Sequence, residues 1–324
     1  MQKTFTQSVP FIALLAIFTI FTVVIANFQP AHAAQSTVNL RSASPFAILS
    51  GTPNITDAGN SSVINGNVGL SPATGAGIGL TCSQVTGSIY SVDATGPLPC
   101  RQTNSPLMVT AKNDLTTAYT DAAGRTPLTT VPTELGGTTL VAGVYDSTST
   151  TLGITAGAGP LVLDGQNDPS SVFIFQAPFS GTSLSVGSGS TVSLINGAQA
   201  CNVFWRVDSA SINTTANFVG TVLALNSVSV ANGATIQGRL LARNGNVTLI
   251  NDTITVPQCT TGAGAGGSTG SGQGTGTGTG TPVIPGLPNT GDSKGSLILF
   301  VGISALFVLC ISVLGFVVYK QHRR

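Results

Sequence analysis

The sequence predicts an all-β fold, a discontinuous three-faced β-solenoid with one long α-helix packed alongside. Two observations support this prediction. Residues 204–256 repeat about every 18 residues, and each repeat holds three short β segments separated by Gly, Asn and Ser. Residues 107–122 instead carry apolar side chains at the helical period. Three segments per repeat predict a roughly triangular coil whose strands stack about 4.8 Å apart.

The N-terminal segment is expected to be a signal peptide. An apolar run at residues 9–26 is followed by Ala-His-Ala at residues 31–33, which has the small-x-small form of a signal peptidase site. Residues 1–33 are therefore expected to be removed on export, which leaves residues 34–260 as the solenoid domain. The alternative is a retained N-terminal anchor.

One segment breaks the β pattern and predicts an amphipathic helix. Its apolar residues recur at spacings of 4, 4, 3 and 4, and Gly124 then ends the helix. In a coil of strands, such a helix has only one place to bury its stripe, which is along one side of the coil. We expect it to shield an apolar face and to block edge pairing there. The stripe consists of Leu107, Ala111, Leu115, Ala118 and Ala122.

The repeat also sorts its strand residues into inward and outward columns. Residues 204–220, 222–238 and 240–256 align with an offset of 18, and one residue slips inside the third unit. Because strand side chains alternate, the large apolar column of Phe218, Ile236 and Ile254 should point inward. Its neighbours then form a flat outward ladder of short, mostly hydroxyl or amide side chains: Asn217, Thr235 and Thr253 in one column, and Val219, Gln237 and Thr255 in the other.

Two upstream segments extend this ladder. Residues 191–193 and 62–63 fit the same pattern, which adds Thr191, Ser193 and Ser62 to the outward side chains. Glycines follow the ladder at the corner, where we expect the backbone to need the conformational freedom of glycine. These glycines are Gly220, Gly238 and Gly66.

The composition excludes several classes of function. The chain has 324 residues, and 12 Lys and Arg against 11 Asp and Glu exclude a basic nucleic-acid binder. Both histidines, His32 and His322, lie outside the expected mature chain, so it has no Ser-His-Asp or Cys-His machinery and no His-ligated metal site. Glu134 is the only Glu, so paired-carboxylate chemistry would need two Asp residues. We expect no enzyme activity, no metal and no cofactor.

The acidic and cysteine residues of the exported part have structural explanations. The nearest acidic pair, Asp164 and Asp168, lies in the run DGQNDPSS, where Asp ordinarily bonds the backbone of a turn. An even number of exported cysteines predicts disulfides, with a metal site as the weaker alternative. A disulfide is favoured between Cys82 and Cys100, because these two cysteines flank a short loop that contains Gly and Pro. The other two exported cysteines are Cys201 and Cys259.

The C-terminal residues fall into three parts. Residues 261–286 are a Gly/Ser/Thr tract that cannot bury a core, so we expect a flexible stalk of roughly 28 Å root-mean-square length. LPNTG follows at residues 287–291. Residues 297–318 are uncharged and, as a helix of about 33 Å, long enough to cross a bilayer. A basic tail ends the chain as a positive-inside stop.

This order, within residues 287–324, resembles the cell-wall sorting signal of Gram-positive surface proteins. In those proteins a membrane transpeptidase, the sortase, cuts between Thr and Gly and joins the Thr to peptidoglycan. The resemblance implies cleavage between Thr290 and Gly291, with Leu287 and Pro288 completing the motif. The implied partners are peptidoglycan and, before processing, the membrane, and the implied location is the extracellular face of the cell wall. The alternative is a stable single-span anchor.

Five motifs in order connect the solenoid to a known family. They are DLTTAY through AAGRTP at 114–127, ELGG through GVY at 134–145, the stretch from Asp164 to VFIFQ at 172–176, INGAQACNVFW at 195–205, and GRLLARNG at 238–245. Together, over residues 38–256, they resemble the ice-binding-like adhesin family, also known as DUF3494. The resemblance implies a discontinuous β-solenoid with a helix alongside. Characterised members are secreted proteins of cold-living microbes that bind ice through one flat face.

Family members carry a Thr-(Ala/Gly)-x-(Thr/Asn) pattern on that face. The corresponding stretches here are TTAN at 214–217, NGAT at 232–235 and INDT at 250–253. The last position matches throughout, whereas the first matches only in part. The resemblance thus implies ice contact for Asn217, Thr235 and Thr253, with Thr214 and Asn232 as partial matches. The departures are Val219, Gln237 and Asp252, and long or charged side chains there would disturb ordered surface water.

The expected function is that of a wall-anchored ice-binding adhesin whose partner is the ice surface. Thr hydroxyls and methyls repeating at about 4.8 Å between coils and about 6.6–7 Å between residues i and i+2 can hold water in an array that matches an ice plane. Low charge suits this use, because ions impose their own hydration. The simpler alternative is that Thr and Ser merely satisfy β propensity.

Two other functions compete with this one. A non-enzymatic adhesin for carbohydrate would offer exposed aromatic rings, whereas Trp205 lies in a core-like strand. A polysaccharide lyase or hydrolase would share the fold class, but fold alone grants no function. Arg206, Arg239 and Arg243 form a candidate basic patch for such an enzyme, although solvated or salt-bridged arginines are the commoner explanation.

Overall fold

In a computed structural model of the chain, the structure describes residues 35–260 apart from 148, 150, 177–180 and 182. These residues form a mostly β fold with one α-helix, α1 (Ser105–Ala123), and four short 3-10 turns at Arg41–Ala43, Gly75–Gly77, Cys82–Gln84 and Ala200–Asn202. The strands are β1 (Phe46–Ser50), β2 (Ile55–Asp57), β3 (Val63–Asn65), β4 (Asn67–Leu70), β5 (Ile78–Gly79), β6 (Ile89–Ser91), β7 (Arg101–Thr103), β8 (Leu128–Val131), β9 (Thr139–Val141), β10 (Gly143–Ser147), β11 (Thr151–Ile154), β12 (Leu161–Asp164), β13 (Phe173–Gln176), β14 (Ser183–Val186), β15 (Val192–Ile195), β16 (Val203–Val207), β17 (Ser209–Ile212), β18 (Asn217–Ala224), β19 (Val228–Val230), β20 (Thr235–Ala242), β21 (Val247–Leu249) and β22 (Thr253–Thr255).

The strands pair in parallel to form three sheets. Sheet A has 12 strands; ten follow the order β7-β6-β4-β1-β20-β18-β16-β13-β10-β8, while β22 pairs with β20 and β3 with β22. Sheet B has the order β11-β14-β17-β19-β21-β2-β5, and sheet C the order β15-β12-β9. Parallel neighbours cannot be joined by a tight hairpin, so the chain alternates between sheets, as it does along β16, β17, β18 and β19.

The pairing registers contain the predicted repeat. Asn217 pairs with Thr235 and Thr235 with Thr253, each 18 residues on. Val228 pairs with Val247, 19 residues on, which is the one-residue slip of the third unit. The registers therefore follow the sequence alignment of the units, except at the start of the first unit. There, in sheet A, β16 pairs with β18 at an offset of 17, as Trp205 does with Val222.

The strand boundaries differ from the prediction at the corner glycines. β18 and β20 each run for 8 residues and continue through Gly220 and Gly238, where the sequence predicts a break. Gly220 has a φ of +117°, a conformation that favours glycine. The φ of Gly238 is not positive; a Cβ there would collide with the Gly220 carbonyl oxygen. Position 238 therefore needs glycine because a side chain would not fit against the neighbouring strand. This corrects the expectation that Gly238 supplies conformational freedom.

The order of strands is discontinuous along the chain. β1 pairs with β20, β2 with β21 and β3 with β22. Residues that pair there are far apart in the sequence, by 192 for Ile48 and Leu240 and by 190 for Val63 and Thr253. The N-terminal strands β1–β7 thus continue the sheets beyond the last strands of the repeat. We call the junction between β20–β22 and β1–β3 the seam.

The core between the sheets contains stacked aromatic rings. Phe175 and Trp205 stack with ring centroids 3.9 Å apart, and Tyr145 and Phe218 pack on either side of them, each at 5.4 Å. Trp205 is 0% exposed, and its Nε1 donates a hydrogen bond of 2.9 Å to the Val219 carbonyl. Aromatic pairs add about 0.5–1.5 kcal/mol beyond the burial of their area. Trp205 is therefore a core residue, as its strand predicts.

Helix α1 lies against sheet A. Asn104 caps it, because the Asn104 side chain accepts a 3.0 Å hydrogen bond from the Leu107 amide, and Gly124 ends it as predicted. Its buried face belongs to a second apolar cluster that also contains Phe204, Leu223 and Leu241 of sheet A. The predicted stripe is buried at every position but the first, where Leu107 is half-buried and Met108 takes its place.

Two disulfides join the described residues. Cys82 bonds to Cys100, the pair that the sequence favours, and Cys201 bonds to Cys259. Beside the second disulfide, Gln199 accepts a 2.8 Å hydrogen bond from the Thr260 amide and donates one of 2.9 Å to the Thr260 carbonyl. The last residues of the described chain are thus tied to the turn that precedes β16.

Several predicted segments lie outside the described residues. They are the signal peptide at 1–33, the stalk at 261–286 and the sorting signal at 287–324 with its apolar span at 297–318. Within residues 35–260, no helix has the length and apolar character needed to span a membrane.

Candidate functional site

Two rows of outward side chains cross β18, β20, β22 and β3. In the first row Asn217 pairs with Thr235, Thr235 with Thr253, and Thr253 with Val63. A bridge from Thr191 to Asn217 extends this row at one end. The second row lies two residues further along each strand. We call the two rows the threonine face, and the second row consists of Ser193, Val219, Gln237, Thr255 and Asn65.

A buried column fixes the threonine face from below. Between the two rows each strand places one apolar side chain in the core, and these side chains form a continuous cluster. A strand shifted by one residue would expose this entire column, so the register is strongly specified. The expectation that Phe218, Ile236 and Ile254 point inward is confirmed. The full column is Val192, Phe218, Ile236, Ile254 and Ile64.

The two rows differ in how much surface they offer. Asn217, Thr235 and Gln237 are exposed, and Val63 is 46% exposed. The remaining row residues are half-buried except Val219, which is only 7% exposed. Val219 was expected to point outward with its row, but its side chain offers almost no surface. None of the row residues belongs to the apolar cluster under helix α1, so the threonine face and the helix-covered surface are separate.

The threonine face is uncharged and has two repeat distances. Neighbouring strands lie about 4.8 Å apart, and residues i and i+2 of one strand about 6.6–7 Å apart. Asn65 Nδ2 donates a 3.0 Å hydrogen bond to Thr255 Oγ1, so the second row is linked across the seam. Thr side chains hold few χ1 rotamers because they branch at Cβ. The arrangement can therefore present hydroxyl and methyl groups at fixed positions to an ordered water layer.

Thr214 and Asn232 lie in the turns that lead into the first row. Their backbones stack, since the Thr215 amide donates to the Asn232 carbonyl at 3.1 Å. Asn251 Nδ2 donates to Asn232 Oδ1 at 2.8 Å in the next turn. Thr215 has a φ of +57° and Asn251 one of +56°, a conformation that Asn tolerates better than Thr does. The two predicted residues thus border the threonine face without belonging to its strands.

Asp252 is a correction to the sequence reading, which placed a charged side chain on this face. Asp252 is 1% exposed and points into the corner beneath the first row. Its Oδ1 accepts a hydrogen bond from the Ala234 amide and its Oδ2 one from the Ile250 amide, both 2.8 Å. Burial raises the pKa of its carboxyl to about 6, although these amides oppose the shift. Asp252 therefore places no charge on the threonine face.

The sequence reading missed Asn65. The sequence pattern put Ser62 outward and Val63 inward, and the structure reverses this, since Ser62 is 1% exposed and Val63 46% exposed. The register was missed because β3 stands 190 residues from β22 and no repeat connects them. The alternation itself was the available signal, because Asn65 follows Val63 by two residues. The threonine face therefore extends across the seam.

A second polar surface lies on sheet B. Ser185 pairs with Ser211, Ser211 with Ser229 and Ser229 with Thr248, and the three serines are exposed. We call these four residues the serine row. Thr248 pairs in turn with Thr56 across the seam. The serine row differs from the threonine face because serines hold its exposed positions.

The three arginines of the candidate basic patch do not form one surface. Arg239 is buried and donates a 2.8 Å hydrogen bond to the Ser44 carbonyl. Arg206 and Arg243 instead lie over the ring of Tyr119 of helix α1, with their Cζ atoms 4.5 and 4.9 Å from the ring centroid. Cation–π contacts of this kind contribute about 0.5–2 kcal/mol. These arginines therefore help to dock the helix.

The acidic pair bonds the backbone of a turn, as its sequence context predicts: Asp164 ends β12 and Asp168 lies in the turn that follows. Asp164 accepts hydrogen bonds from the Gln166 amide at 2.8 Å and from Asn196 Nδ2 at 2.9 Å. Asp168 accepts from the amide and hydroxyl of Ser170, and these bonds lower the pKa of its carboxyl. Within the part of the chain that the structure describes, no group of His, Cys, Asp and Glu is arranged to hold a metal ion.

Comparison with known proteins assigns a family. A sequence profile described as ice-binding-like matches residues 48–255. The chain belongs to this family. It is 40% identical over 225 residues to an ice-binding protein of Flavobacterium frigoris, covering 68% of this chain and 77% of that one. It is 42% identical over 224 residues to an ice-binding protein of a Colwellia species, covering 68% and 84% of the two chains.

Solved structures of ice-binding proteins share the fold. The crystal structure of an ice-binding protein from an Antarctic biological consortium superposes with a TM-score of 0.60 at 36% identity, covering 71% of this chain and 96% of that one. The DUF3494 domain of a Shewanella frigidimarina ice-binding protein superposes with a TM-score of 0.61 at 29% identity, covering 70% and 100%. This family member therefore has the family's mostly β, parallel-sheet fold with one helix.

Proposed function

We propose that this protein is exported and adsorbs to ice through the threonine face. The observation that carries the proposal is the pair of uncharged rows at two fixed spacings above a column of buried apolar side chains. A face that cannot rearrange loses little entropy when it orders a water layer. The relatives named ice-binding proteins support the same function. The proposed contact residues are Thr191, Ser193, Asn217, Thr235, Gln237, Thr253 and Thr255, with Thr214 and Asn232 at the margin.

In this proposal the domain is a discontinuous three-faced β-solenoid spanning residues 34–260. Each turn of the chain would contribute to sheet B, to the helix-covered part of sheet A and to the threonine face. The alternation of strands between the sheets supports this arrangement. The solenoid supplies stiffness, because each strand inside a sheet is hydrogen-bonded to a neighbour on both sides.

We further propose that the domain is displayed on the cell wall. The signal peptide, the stalk and the LPNTG motif with its apolar span and basic tail support this, because they stand in the order of a sorting signal. Replacement of Leu287 by Ala should prevent transfer to peptidoglycan and leave the protein in the membrane fraction. Wall fragments carrying the chain through Thr290, found by mass spectrometry in the parent and absent from the variant, are the expected result. Equal wall attachment of both would contradict the proposal.

A carbohydrate adhesin is disfavoured by the placement of the aromatic rings. Sugar sites usually offer exposed Trp or Tyr faces. Trp205, Tyr119 and Tyr145 are buried, and Tyr90 is half-buried with its ring centroid 5.8 Å from that of Phe46. We therefore do not adopt that function.

The test is a bulky substitution on each polar surface. Thr235→Tyr places a ring over the centre of the threonine face, where its strand spacing of about 4.8 Å brings the ring against Asn217 and Thr253. Ser229→Tyr is the matched control on sheet B. Thermal hysteresis of the purified full-length chain is expected to fall for Thr235→Tyr and to stay at the parent value for Ser229→Tyr. If the parent protein has no effect on ice growth, the proposal is wrong. If both variants lose the same thermal hysteresis, the threonine face is not the surface that contacts ice.

A further inference from the structure

The seam divides the threonine face into two parts that come from distant segments of the chain. Thr253 and Thr255 belong to β22, whereas their partners Val63 and Asn65 belong to β3. Elsewhere in the repeat, a short continuous stretch of chain joins neighbouring strands of the face and limits how far apart they can move. At the seam no such connection exists, so side chains and backbone pairing must hold the two parts in one plane.

The corner residue beneath the first row changes character at the seam. This residue immediately precedes the row residue in each strand, and it is buried in every case. Within the continuous repeat it is Ala216 and Ala234, and at the seam it becomes Asp252 and Ser62. At the other end of the row, Ser190 holds the same position and is also buried. Asp252 is the carboxylate of this set, and it stands where the continuous repeat meets the seam.

Asp252 joins three neighbouring turns of the chain. Its carboxylate accepts the amides of Ala234 and Ile250, both at 2.8 Å. Its own amide donates to Ser62 Oγ at 2.9 Å, and its carbonyl accepts from the Val63 amide at 2.8 Å. One residue therefore contacts the turn before the seam, its own turn and the turn beyond the seam.

Asp57 makes the complementary set of contacts from the other side. Its Oδ1 accepts from the Asn251 amide at 3.2 Å, across the seam. Its Oδ2 accepts from the Ser62 amide at 2.9 Å and from Gln84 Nε2 at 2.6 Å. Asp57, Ser62 and Gln84 are all buried, so an amide that lost its acceptor here would have little access to water.

We propose that Asp252 and Asp57 are positioning residues that hold β3 coplanar with β22 and so make the two parts of the threonine face one continuous surface. The proposal rests on the proposed function of that face. The carboxylates act through the backbone amides they accept, and neither of them contacts the ice. Without the two carboxylates, the strands beyond the seam keep their fold, but β3 is no longer held in the plane of Thr253 and β22.

Hydrogen exchange tests the positioning role without reference to ice. The full-length chain is compared with Asp252→Ala, which installs the residue of the two preceding turns, and with Asp164→Ala, which removes a turn carboxylate far from the seam. In Asp252→Ala the amides of Ala234 and Ile250 lose their acceptor and are expected to exchange about tenfold faster. The Val63 amide, which bonds to the Asp252 carbonyl, should also exchange faster because the backbone of residue 252 is no longer fixed, while that of Phe218 is unchanged. Asp164→Ala should leave all four amides unchanged. Parental protection of Val63 in Asp252→Ala would overturn the proposal.

Thermal hysteresis of combined variants tests the consequence for the face. In the parent, Thr235→Tyr before the seam and Asn65→Tyr beyond it should both lower activity. In the Asp252→Ala background, Asn65→Tyr should have no further effect, whereas Thr235→Tyr should still lower what remains. General destabilisation does not produce this difference between the two sides. The same fold-loss from Asn65→Tyr in both backgrounds would overturn the proposal.

Two further results keep the outcomes separate. If Asp252→Ala does not yield folded protein, Asp252→Asn replaces it, because Asn preserves the shape of the side chain and one acceptor oxygen. Faster exchange of the Val63 amide is again expected. Exchange of that amide at the rate of the parent protein would overturn the proposal. If the parent shows no thermal hysteresis, the proposed function fails. Faster exchange at the seam alone would then support the positioning of β3 by Asp252, and unchanged exchange would overturn it.

Discussion

The disulfide between Cys201 and Cys259 encloses the strands β16–β22 and with them most of the threonine face. Replacing both cysteines by Ser frees the unfolded chain from a loop of 58 residues. The chain-entropy relation then gives a loss of about 4 kcal/mol in the free energy of unfolding at 25 °C. The same relation applied to Cys82 and Cys100, 18 residues apart, gives about 3 kcal/mol. The longer loop should therefore matter more, although its cysteines lie at the margin of the domain.

Guanidinium unfolding of the full-length chain and the two double variants measures both losses by linear extrapolation. The variant lacking the Cys201–Cys259 bond is expected to have the lower midpoint, with a similar slope. Treatment of the parent with reductant should reproduce the sum of the two losses. A smaller loss from the Cys201–Cys259 variant than from the Cys82–Cys100 variant would refute the argument, because the order follows from loop length alone.

Three further predictions concern Asp252, Gly238 and the row residues. Lowering the pH from about 7.5 to about 5 should raise the free energy of unfolding by about 1 kcal/mol. In the folded protein Asp252 binds a proton below its pKa of about 6, whereas in the unfolded chain its carboxyl stays charged down to about pH 3.8. Denaturation of Asp252→Asn should show no such rise. Gly238→Ala should lower the free energy of unfolding by about 1–3 kcal/mol in the same assay, because the added Cβ would collide with the Gly220 carbonyl oxygen. Gly124→Ala should lower it by less than about 0.5 kcal/mol, because a Cβ there makes only ordinary contacts. Thr235→Ser with Thr253→Ser should reduce thermal hysteresis although every hydroxyl is retained, and full activity would show that the methyl groups are dispensable.

The repeat made the threonine face predictable where the chain is continuous. An offset of 18 residues fixes which side chains share a row, and alternation along the strand fixes their side. The pairing of Asn217 with Thr235 and of Thr235 with Thr253 follows from these two rules alone. Helix α1 was predictable for a similar reason, since its period and its terminal Gly124 are local signals.

The remaining features depend on contacts between distant segments. Val63 and Asn65 meet β22 across the seam, and no local pattern encodes that meeting. Asp252 was placed on the surface because it was compared with the family pattern of that face, whereas its side chain is buried at the corner position that Ala216 and Ala234 hold in the preceding turns. Pairing of Cys201 with Cys259 likewise depends on where the two ends of the repeat come together.

β-Branching decides between the two polar surfaces of the fold. The serine row and the threonine face have the same strand spacing and both lie over buried apolar columns. Serine has one heavy atom on Cβ, so its hydroxyl can occupy several χ1 wells, whereas threonine has two and is restricted. A row of serines must lose this freedom when it orders water, and it has no methyl groups to keep competing waters out of the spaces between hydroxyls. Thr235 and Thr253 pair across neighbouring strands, and Thr255 lies two residues beyond Thr253 on β22. The surface that we propose for ice contact therefore has fewer rotamers to lose than the serine row when it orders water.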